Sequence, residues 1–351
     1  MNKKVYVEKI LNVAVVGLGR AGWQIHIPRI MAHKGFKLSG VVDPLDERRK
    51  EARLHLGVAA FESLEKLFEQ QNPDVVVIVS PTHFHKEQSL LAFRHGADVL
   101  CDKPMAVTLD EAREMVEAMH ARSRKMMIFQ PHRAHVETVA LRALLREDLL
   151  GPVFMIKRRW SRYRVRVDWQ AFARYGGGEL NNSGAHFVDQ LLYLSASPVK
   201  KIHCLRRRVL SRGDAEDFAK IIMETENGMI LDVEVNFATA IAPPAMQVFG
   251  ERGTMVLDEE HGLWRARYYD KGGADAIRLQ EGLAAENRSY MDDQQLPWKE
   301  KNYPLSAFSS IDFYDKCYEH FALNQPAFIP PGESLEVMRI LDVCKKRSGL
   351  E

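Results

Sequence analysis

The sequence predicts an α/β protein in two parts: a doubly wound parallel sheet, then a largely antiparallel sheet carrying a few helices. Three observations lead there. The chain has 351 residues, beyond the roughly 250–300 at which a single hydrophobic core stops growing. From Leu11 to Gln130, short apolar runs alternate with amphipathic stretches. After Pro131 the pattern changes to longer stretches with period-two character. The expected division is therefore residues 1–131 and 132–351.

The apolar runs of the first part are Leu11–Val16, Leu38–Val42, Val75–Val79, Ala97–Cys101 and Met126–Phe129. They are nearly continuous and rich in Val and Ile, as strands buried on both faces of a parallel sheet are. Between them, Ser63 opens a helix at Leu64–Phe68, and Thr108 with Glu111 fits a capping box. Strand and helix alternating at this spacing make a doubly wound sheet. In the second part a helix is expected over Val136–Glu147, ended by Gly151-Pro152. Strands are expected over Val153–Trp160, Lys200–Leu210, Phe218–Thr225, Met229–Phe237 and Met246–Phe249. Asn227-Gly228 marks a tight hairpin, and Glu251–Thr254 a turn before Met255–Leu257. The closing helices run from about Ser309 to Leu323 and from Gly332 to about Lys345, and the polar stretch Lys271–Lys301 reads as loops.

Composition excludes several classes. Hydrophobic residues make up 46% and charged residues 27%, which rules out a disordered or collagen-like chain. Forty-nine Lys and Arg against 47 Asp and Glu leave a charge of +2, so no bulk attraction to nucleic acid or an acidic membrane is expected. Cys101, Cys204, Cys317 and Cys344 form no C-x-x-C pair and read as reduced thiols. No apolar run reaches the roughly 20 residues of a membrane span. Lys3, Lys4, Glu8 and Lys9 leave no signal-peptide core before Leu11. A cytoplasmic location is expected.

The first apolar run leads into Gly17-Leu18-Gly19-Arg20-Ala21-Gly22. In G-x-G-x-x-G, the first glycine permits a tight turn and the second lets the backbone approach a pyrophosphate. The third allows close helix–strand packing. A helix opening near Arg20 and Ala21 offers free N–H groups and a positive dipole to phosphates. Asp43 ends the next run 21 residues after Gly22. A carboxylate there binds ribose hydroxyls and repels a 2′-phosphate, which favours NAD over NADP. Arg48, Arg49 and Lys50 are assigned to the solvated face of the following helix. The plainer alternative is a glycine-rich turn beside an empty groove, with Asp43 only capping a helix.

Three further motifs follow in order: Val79-Ser80-Pro81-Thr82-His83-Phe84-His85, Cys101-Asp102-Lys103-Pro104, and the stretch from Gly176-Gly177-Gly178 through Asn182 and His186 to Asp189. With the glycine loop, this ordered set resembles the Gfo/Idh/MocA oxidoreductase family. The resemblance implies a Rossmann dinucleotide-binding domain and a carboxyl-terminal α/β domain with a large, mostly antiparallel open sheet, through which members often form dimers or tetramers. It implies an NAD- or NADP-dependent enzyme acting on a sugar, cyclitol or related polyol. Lys103 matches the lysine near nicotinamide and the substrate oxygen, and His186 the catalytic acid/base. Asn182 falls where many members carry Asp and is left as an orienting group. Ser80, Pro81, His85 and Asp102 match positions lining the cofactor cleft, and Gln130 is assigned with them.

The chemistry suits those residue types. A base takes the hydroxyl proton while nicotinamide takes the hydride, and a histidine with a pKa near ~6.5 serves at neutral pH. A lysine ammonium stabilises the developing alkoxide. With Asn182 in place of a carboxylate, His186 is expected to be a weaker base, compensated by Lys103 or Glu179. Asp189, three residues on, is read equally as catalytic or as bonded to a neighbouring helix.

Six of the ten residues from Lys157 to Arg166 are basic. If that stretch is extended, Arg162, Arg164 and Arg166 share one face. Net charge and fold argue against nucleic acid. Two readings stay open: Arg162 clamps an anionic group of the substrate, or these are interface and solvated side chains. Trp169 and Gln170 are better placed for sugar contacts. His83-x-His85 and His132-x-x-His135 lack the partners of a metal site, so no metal is expected. The leading expectation is an NAD-dependent dehydrogenase of a sugar, cyclitol or sugar-acid hydroxyl. The alternatives are an NADP(H)-dependent reductase of a keto-sugar or other carbonyl, and a dinucleotide-binding sensor without turnover.

Overall fold

A computed structural model describes residues 9–275, 277 and 296–347. Six strands form the first sheet: β1 (Leu11–Val16), β2 (Phe36–Val42), β3 (Ala59–Phe61), β4 (Val75–Ile78), β5 (Asp98–Cys101) and β6 (Met126–Ile128). All are parallel, in the order β3-β2-β1-β4-β5-β6. Every residue of β1 except Asn12 is buried, as its continuous apolar run requires. The strand order reverses beside β1, so a crevice opens at the carboxyl ends of β1 and β4, where such sheets bind ligands.

Helices α1 (Ile27–Ala32), α2 (Asp46–Leu56), α3 (Leu64–Phe68), α4 (His85–Arg94) and α5 (Leu109–Ala121) connect these strands. Their start signals are realised. Ser63 Oγ accepts the Lys66 N–H at 3.3 Å, and Thr108 with Glu111 forms the reciprocal capping box.

The second sheet contains β7 (Val153–Ser161), β8 (Val199–Arg207), β9 (Phe218–Thr225), β10 (Ile230–Asn236), β11 (Met246–Gly250), β12 (Gly253–Asp258), β13 (Leu263–Tyr268) and β14 (Lys299–Pro304). Its order is β14-β13-β12-β11-β7-β10-β9-β8, antiparallel except where β10 lies parallel to β7. At the β9–β10 turn, Gly228 takes a φ of +85°. Helices α6 (Val136–Leu144) and α7 (Ala185–Ser195) pack against this sheet.

Two more helices, α8 (Phe313–Phe321) and α9 (Pro331–Arg347), close the chain. α8 returns to the first sheet: Phe313, Tyr314, Cys317, Tyr318 and Phe321 share a core with Leu11, Val13 and Val15. The Tyr318 hydroxyl donates to the Lys9 carbonyl at 2.8 Å. α9 runs between the two units, touching α5 and β6 on one side and α7 and β8 on the other.

Three strands carried no sequence signal. β3 is three residues long. β13 presents two exposed arginines on the face opposite buried Trp264 and Ala266. β14 is a charged edge strand, a composition that discourages edge-to-edge pairing. The Lys271–Lys301 stretch, expected as loops, therefore ends inside β14, and its residues 278–295 lie outside the described residues. The basic segment also differs from expectation: β7 ends at Ser161, and residues 162–166 leave the sheet. Among the described residues no helix is long and apolar enough to cross a membrane.

Candidate active site

The glycine loop follows β1, and two of its glycines are demanded by the protein itself. Gly17 has a φ of +100°, and a Cβ there would sit 2.8 Å from the Val79 carbonyl and the Ser80 nitrogen. A Cβ on Gly22 would meet the Gly17 oxygen at 2.0 Å. Gly19 differs: nothing lies within 4 Å of its Cβ position, so its backbone faces open space. That bare backbone at the crevice fits the approach of a pyrophosphate. Past it, residues Gly22–His26 form a widened turn in which the Ile27 N–H reaches back five residues to the Gly22 carbonyl.

The crevice opens into a cleft of about 1680 Å³ between the two sheets, room for a dinucleotide and a second small molecule. Gly17, Gly19, Arg20, Ala21, Asp43, Ser80, Pro81, His85, Asp102 and Lys103 line it from the first unit. Trp169, Gln170, Asn182, His186 and Arg162 line it from the second. Gly22 and Gln130 do not: Gly22 packs on Gly17, and Gln130 is buried beneath His186.

Asp43 is 2% exposed. One carboxylate oxygen accepts the Leu18 N–H at 2.9 Å and the other the Leu45 N–H at 3.0 Å, fastening the glycine loop to the start of α2. The cations after it divide. Arg49 and Lys50 pair with Asp46. Arg48 is exposed, as expected, and also lines the cleft, with Nη1 3.2 Å from Asp43. It does so because it lies on the turn of α2 nearest the Asp43 carboxylate.

His85 sits between the two loops that form the cleft floor. Its Nε2 is 2.8 Å from the Ser80 carbonyl and its Nδ1 3.0 Å from the Pro104 carbonyl. Burial pushes its pKa down, so the neutral ring donates to one carbonyl at a time. Its position ties the Ser80-Pro81 loop to Lys103-Pro104.

The reacting end is built around α7. Before that helix, Leu180–Gly184 form a second widened turn, the Ala185 N–H bonding the Leu180 carbonyl. This turn presents Asn182 to Lys103, whose Nζ donates to the Asn182 carbonyl at 2.5 Å and to Oδ1 at 3.1 Å. Gln170 Nε2 reaches the same Oδ1 at 3.3 Å. Asn182 Nδ2 donates to the buried Glu179 carboxylate at 3.3 Å, which also accepts Ser183 Oγ at 2.7 Å and Arg166 Nε at 3.1 Å. A carboxylate therefore stands behind Asn182, at Glu179, and its charge acts on Lys103. Burial pushes the Lys103 pKa down, opposed by the Asp102 and Glu179 carboxylates.

His186 Nδ1 lies 2.7 Å from Gln130 Oε1. Gln130 Nε2 faces the Ala185 carbonyl at 3.4 Å, which assigns the amide oxygen as the acceptor. Nδ1 then carries the proton, and Nε2 keeps its lone pair. Burial holds the His186 pKa well below its ordinary value, and the charges of His132, Lys103, His135 and Arg158 lower it further. Lys103 was expected to compensate for Asn182, but as a like charge beside an imidazolium it adds to the depression. Sequence reasoning missed the part played by His132, whose ring centroid is 4.4 Å from that of His186. His135 lies on the other side, its ring centroid 4.7 Å from that of His132. The H-x-x-H spacing was visible but had been weighed only as a metal motif. Among the described residues no group of three or more His, Cys, Asp or Glu side chains is placed to hold a metal ion.

Asp189 faces away from this chemistry. It accepts a bidentate pair from Arg133, at 2.7 Å to Nε and 2.6 Å to Nη2, and both side chains are buried. Of its two expected roles, the structure shows the contact with a neighbouring element.

Comparison with known proteins agrees with this architecture. Residues 11–130 match the Gfo/Idh/MocA oxidoreductase family with its NAD-binding Rossmann fold. Residues 138–256 match the Gfo/Idh/MocA C-terminal domain. The uncharacterized oxidoreductase YdgJ of Escherichia coli is 30% identical, the alignment covering 95% of each chain. The D-glucoside 3-dehydrogenase of Escherichia coli is 25% identical over 82% of this chain and 86% of its own. The crystal structure of an NAD-binding protein from Listeria innocua superposes with a TM-score of 0.83 over 97% of both chains, at 22% identity. A Rossmann sheet with an open glycine loop, an eight-stranded second sheet and agreement along both halves lead to one assignment: this chain is an NAD(P)-binding oxidoreductase of the Gfo/Idh/MocA family.

Proposed function

We propose that the protein is an NAD-dependent dehydrogenase of a secondary hydroxyl on a sugar, cyclitol or sugar acid. The observation that carries this reading is the pairing of an unprotonated His186 Nε2, held in its tautomer by Gln130, with the Lys103 ammonium in one cleft. Nε2 takes the hydroxyl proton, and Lys103 faces the oxygen as it acquires negative charge. Asn182 and Glu179 hold Lys103 in place. Bound nicotinamide supplies the hydride acceptor. The similarity to a glucoside dehydrogenase supports a polyol substrate.

The test is NADH formation over a panel of inositols, hexoses, uronic acids and amino sugars, with wild type and His186→Ala. At least one polyol should be oxidised, and the variant should lose about 10²–10⁴ in kcat/KM. Because His186 acts as the neutral ring and its pKa is depressed, the acid limb of kcat/KM should fall below pH ~6.5. A limb above that value, or full activity in His186→Ala, would assign the base elsewhere.

Arg48 in the cleft favours a second reading, an NADP(H)-dependent carbonyl reductase. Asp43 stands against it, since its carboxylate occupies the Arg48 guanidinium and repels a 2′-phosphate. Fluorescence titration should show NADH binding tighter than NADPH. Asp43→Asn, which releases Arg48, should shift the ratio by about tenfold or more toward NADPH. Tighter NADPH in the wild type would favour the reductase.

A further inference from the structure

The segment that leaves the second sheet after β7 has a two-sided character. Arg162, Arg164 and Arg166 line the cleft, while Tyr163, Val165 and Val167 are 65%, 39% and 93% exposed. The alternation is fixed by backbone bonds to the chain just past β10. Arg162 N–H donates to the Asn236 carbonyl at 3.0 Å, Arg164 N–H to that of Phe237 at 2.9 Å, and Thr239 N–H to that of Arg162 at 3.2 Å. Three guanidiniums are thereby set on the cleft side without the segment being a strand of the sheet.

Their charges are not equally compensated. Arg166 is held by Glu179 at 3.1 Å and Asp168 at 3.2 Å. Arg162 and Arg164 have no carboxylate or side-chain hydrogen-bond partner among the described residues. Arg162 instead lies over the Trp160 ring, its Cζ 4.0 Å from the centroid. Stacking occupies the face of a guanidinium and leaves its N–H edge free, the edge that meets an oxyanion with two parallel hydrogen bonds. The Trp160 ring in turn is 6.1 Å from that of Phe187, the neighbour of His186. Arg162 is thereby linked through Trp160 and Phe187 to the start of α7, and it shares one cleft with Arg164, Lys103 and His186.

We propose that Arg162, with Arg164, forms an oxyanion subsite that selects substrates bearing a carboxylate or phosphate in addition to the reacting hydroxyl. The inference rests on the dehydrogenase reading and narrows it to anionic sugars or cyclitols. One sugar oxygen is then oriented at Lys103 and His186 while the charged group is anchored elsewhere in the same cleft, so binding energy at the anion positions the hydroxyl.

The experiment compares matched sets: a neutral hexose, its uronic acid and its 6-phosphate, assayed for NADH formation with wild type, Arg162→Gln and Arg162→Lys. In the wild type the kcat/KM of one anionic member should exceed that of its neutral counterpart by about tenfold or more. Arg162→Gln should lower that ratio by about 10–100-fold, and Arg162→Lys, with charge but no planar fork, should recover only part of it. Preference for the uronic acid or for the phosphate identifies the group. A wild-type ratio near one, or a ratio unchanged in Arg162→Gln, overturns the subsite while leaving the dehydrogenase reading intact. If no sugar turns over, calorimetric titration of the same acids into NADH-loaded protein decides separately. Binding weakened by Arg162→Gln keeps the subsite and removes the dehydrogenase reading. Binding equal in both proteins, or absent from both, removes the subsite.

Discussion

Lys103→Met should lower kcat for the best substrate of the panel by about 10²–10⁴-fold, a larger effect than any accompanying change in NADH dissociation constant. Methionine preserves the length and most of the volume of the side chain but removes the cation bonded to Asn182. Lys103 Nζ now satisfies both the Asn182 carbonyl and its side-chain oxygen. Losing it leaves those acceptors facing the substrate oxygen at the moment that oxygen becomes negative. The like charge that helps to keep His186 neutral also disappears, so the acid limb of the pH profile should move upward toward pH ~6.5. Steady-state kinetics and fluorescence titration of NADH separate the two effects. A kcat within threefold of wild type would place alkoxide stabilisation on another group.

Asp189→Ala should destabilise the fold by about 3–5 kcal/mol, measured by chemical denaturation. Arg133 and Asp189 are 1% and 0% exposed, so removal of the carboxylate strands a guanidinium in a low-dielectric interior. Arg133 also contacts Glu333 on α9, a side chain half open to solvent, and lies 4.9 Å from the Tyr193 ring. Neither replaces a bidentate carboxylate. The double variant Arg133→Met with Asp189→Leu should recover most of the loss, because an apolar pair needs no compensation. Loss of the exposed Lys66–Glu69 pair should have a far smaller effect in the same denaturation experiment. A loss of similar size at Asp189 would show that the buried pair is already solvated.

What the sequence revealed is mostly what a local segment must decide for itself. Gly17 is legible because its positive φ excludes other residues, and Thr108 because its capping bond spans three positions. The first sheet was legible because strands buried on both faces leave uninterrupted apolar runs. Other features depend on partners far along the chain. His186 owes its tautomer to Gln130, 56 positions away. The charge behind Asn182 and the arginine side of residues 162–166 emerge only when α7, β7 and β10 meet. In that segment the alternation was readable but its departure from the sheet was not, because β10 ends at Asn236 and the pairing beyond it is reduced to a few irregular backbone bonds. The helix expected from about Ser309 to Leu323 was legible as a helix, but nothing local indicated which sheet it would cover.

That last placement bears on how the protein is made. The underside of the first sheet carries Leu11, Val13 and Val15, and its cover includes residues of α8. These are synthesised roughly 180 residues after β6, about 10–40 s later at ordinary ribosomal speeds. Through that interval the part of this apolar surface not covered by α1 and α2 waits for its partner. Folding of the amino-terminal unit is thus completed by α8, and a ribosome that stalls in β14 leaves a chain with every glycine-loop residue present and that face of its sheet covered only in part.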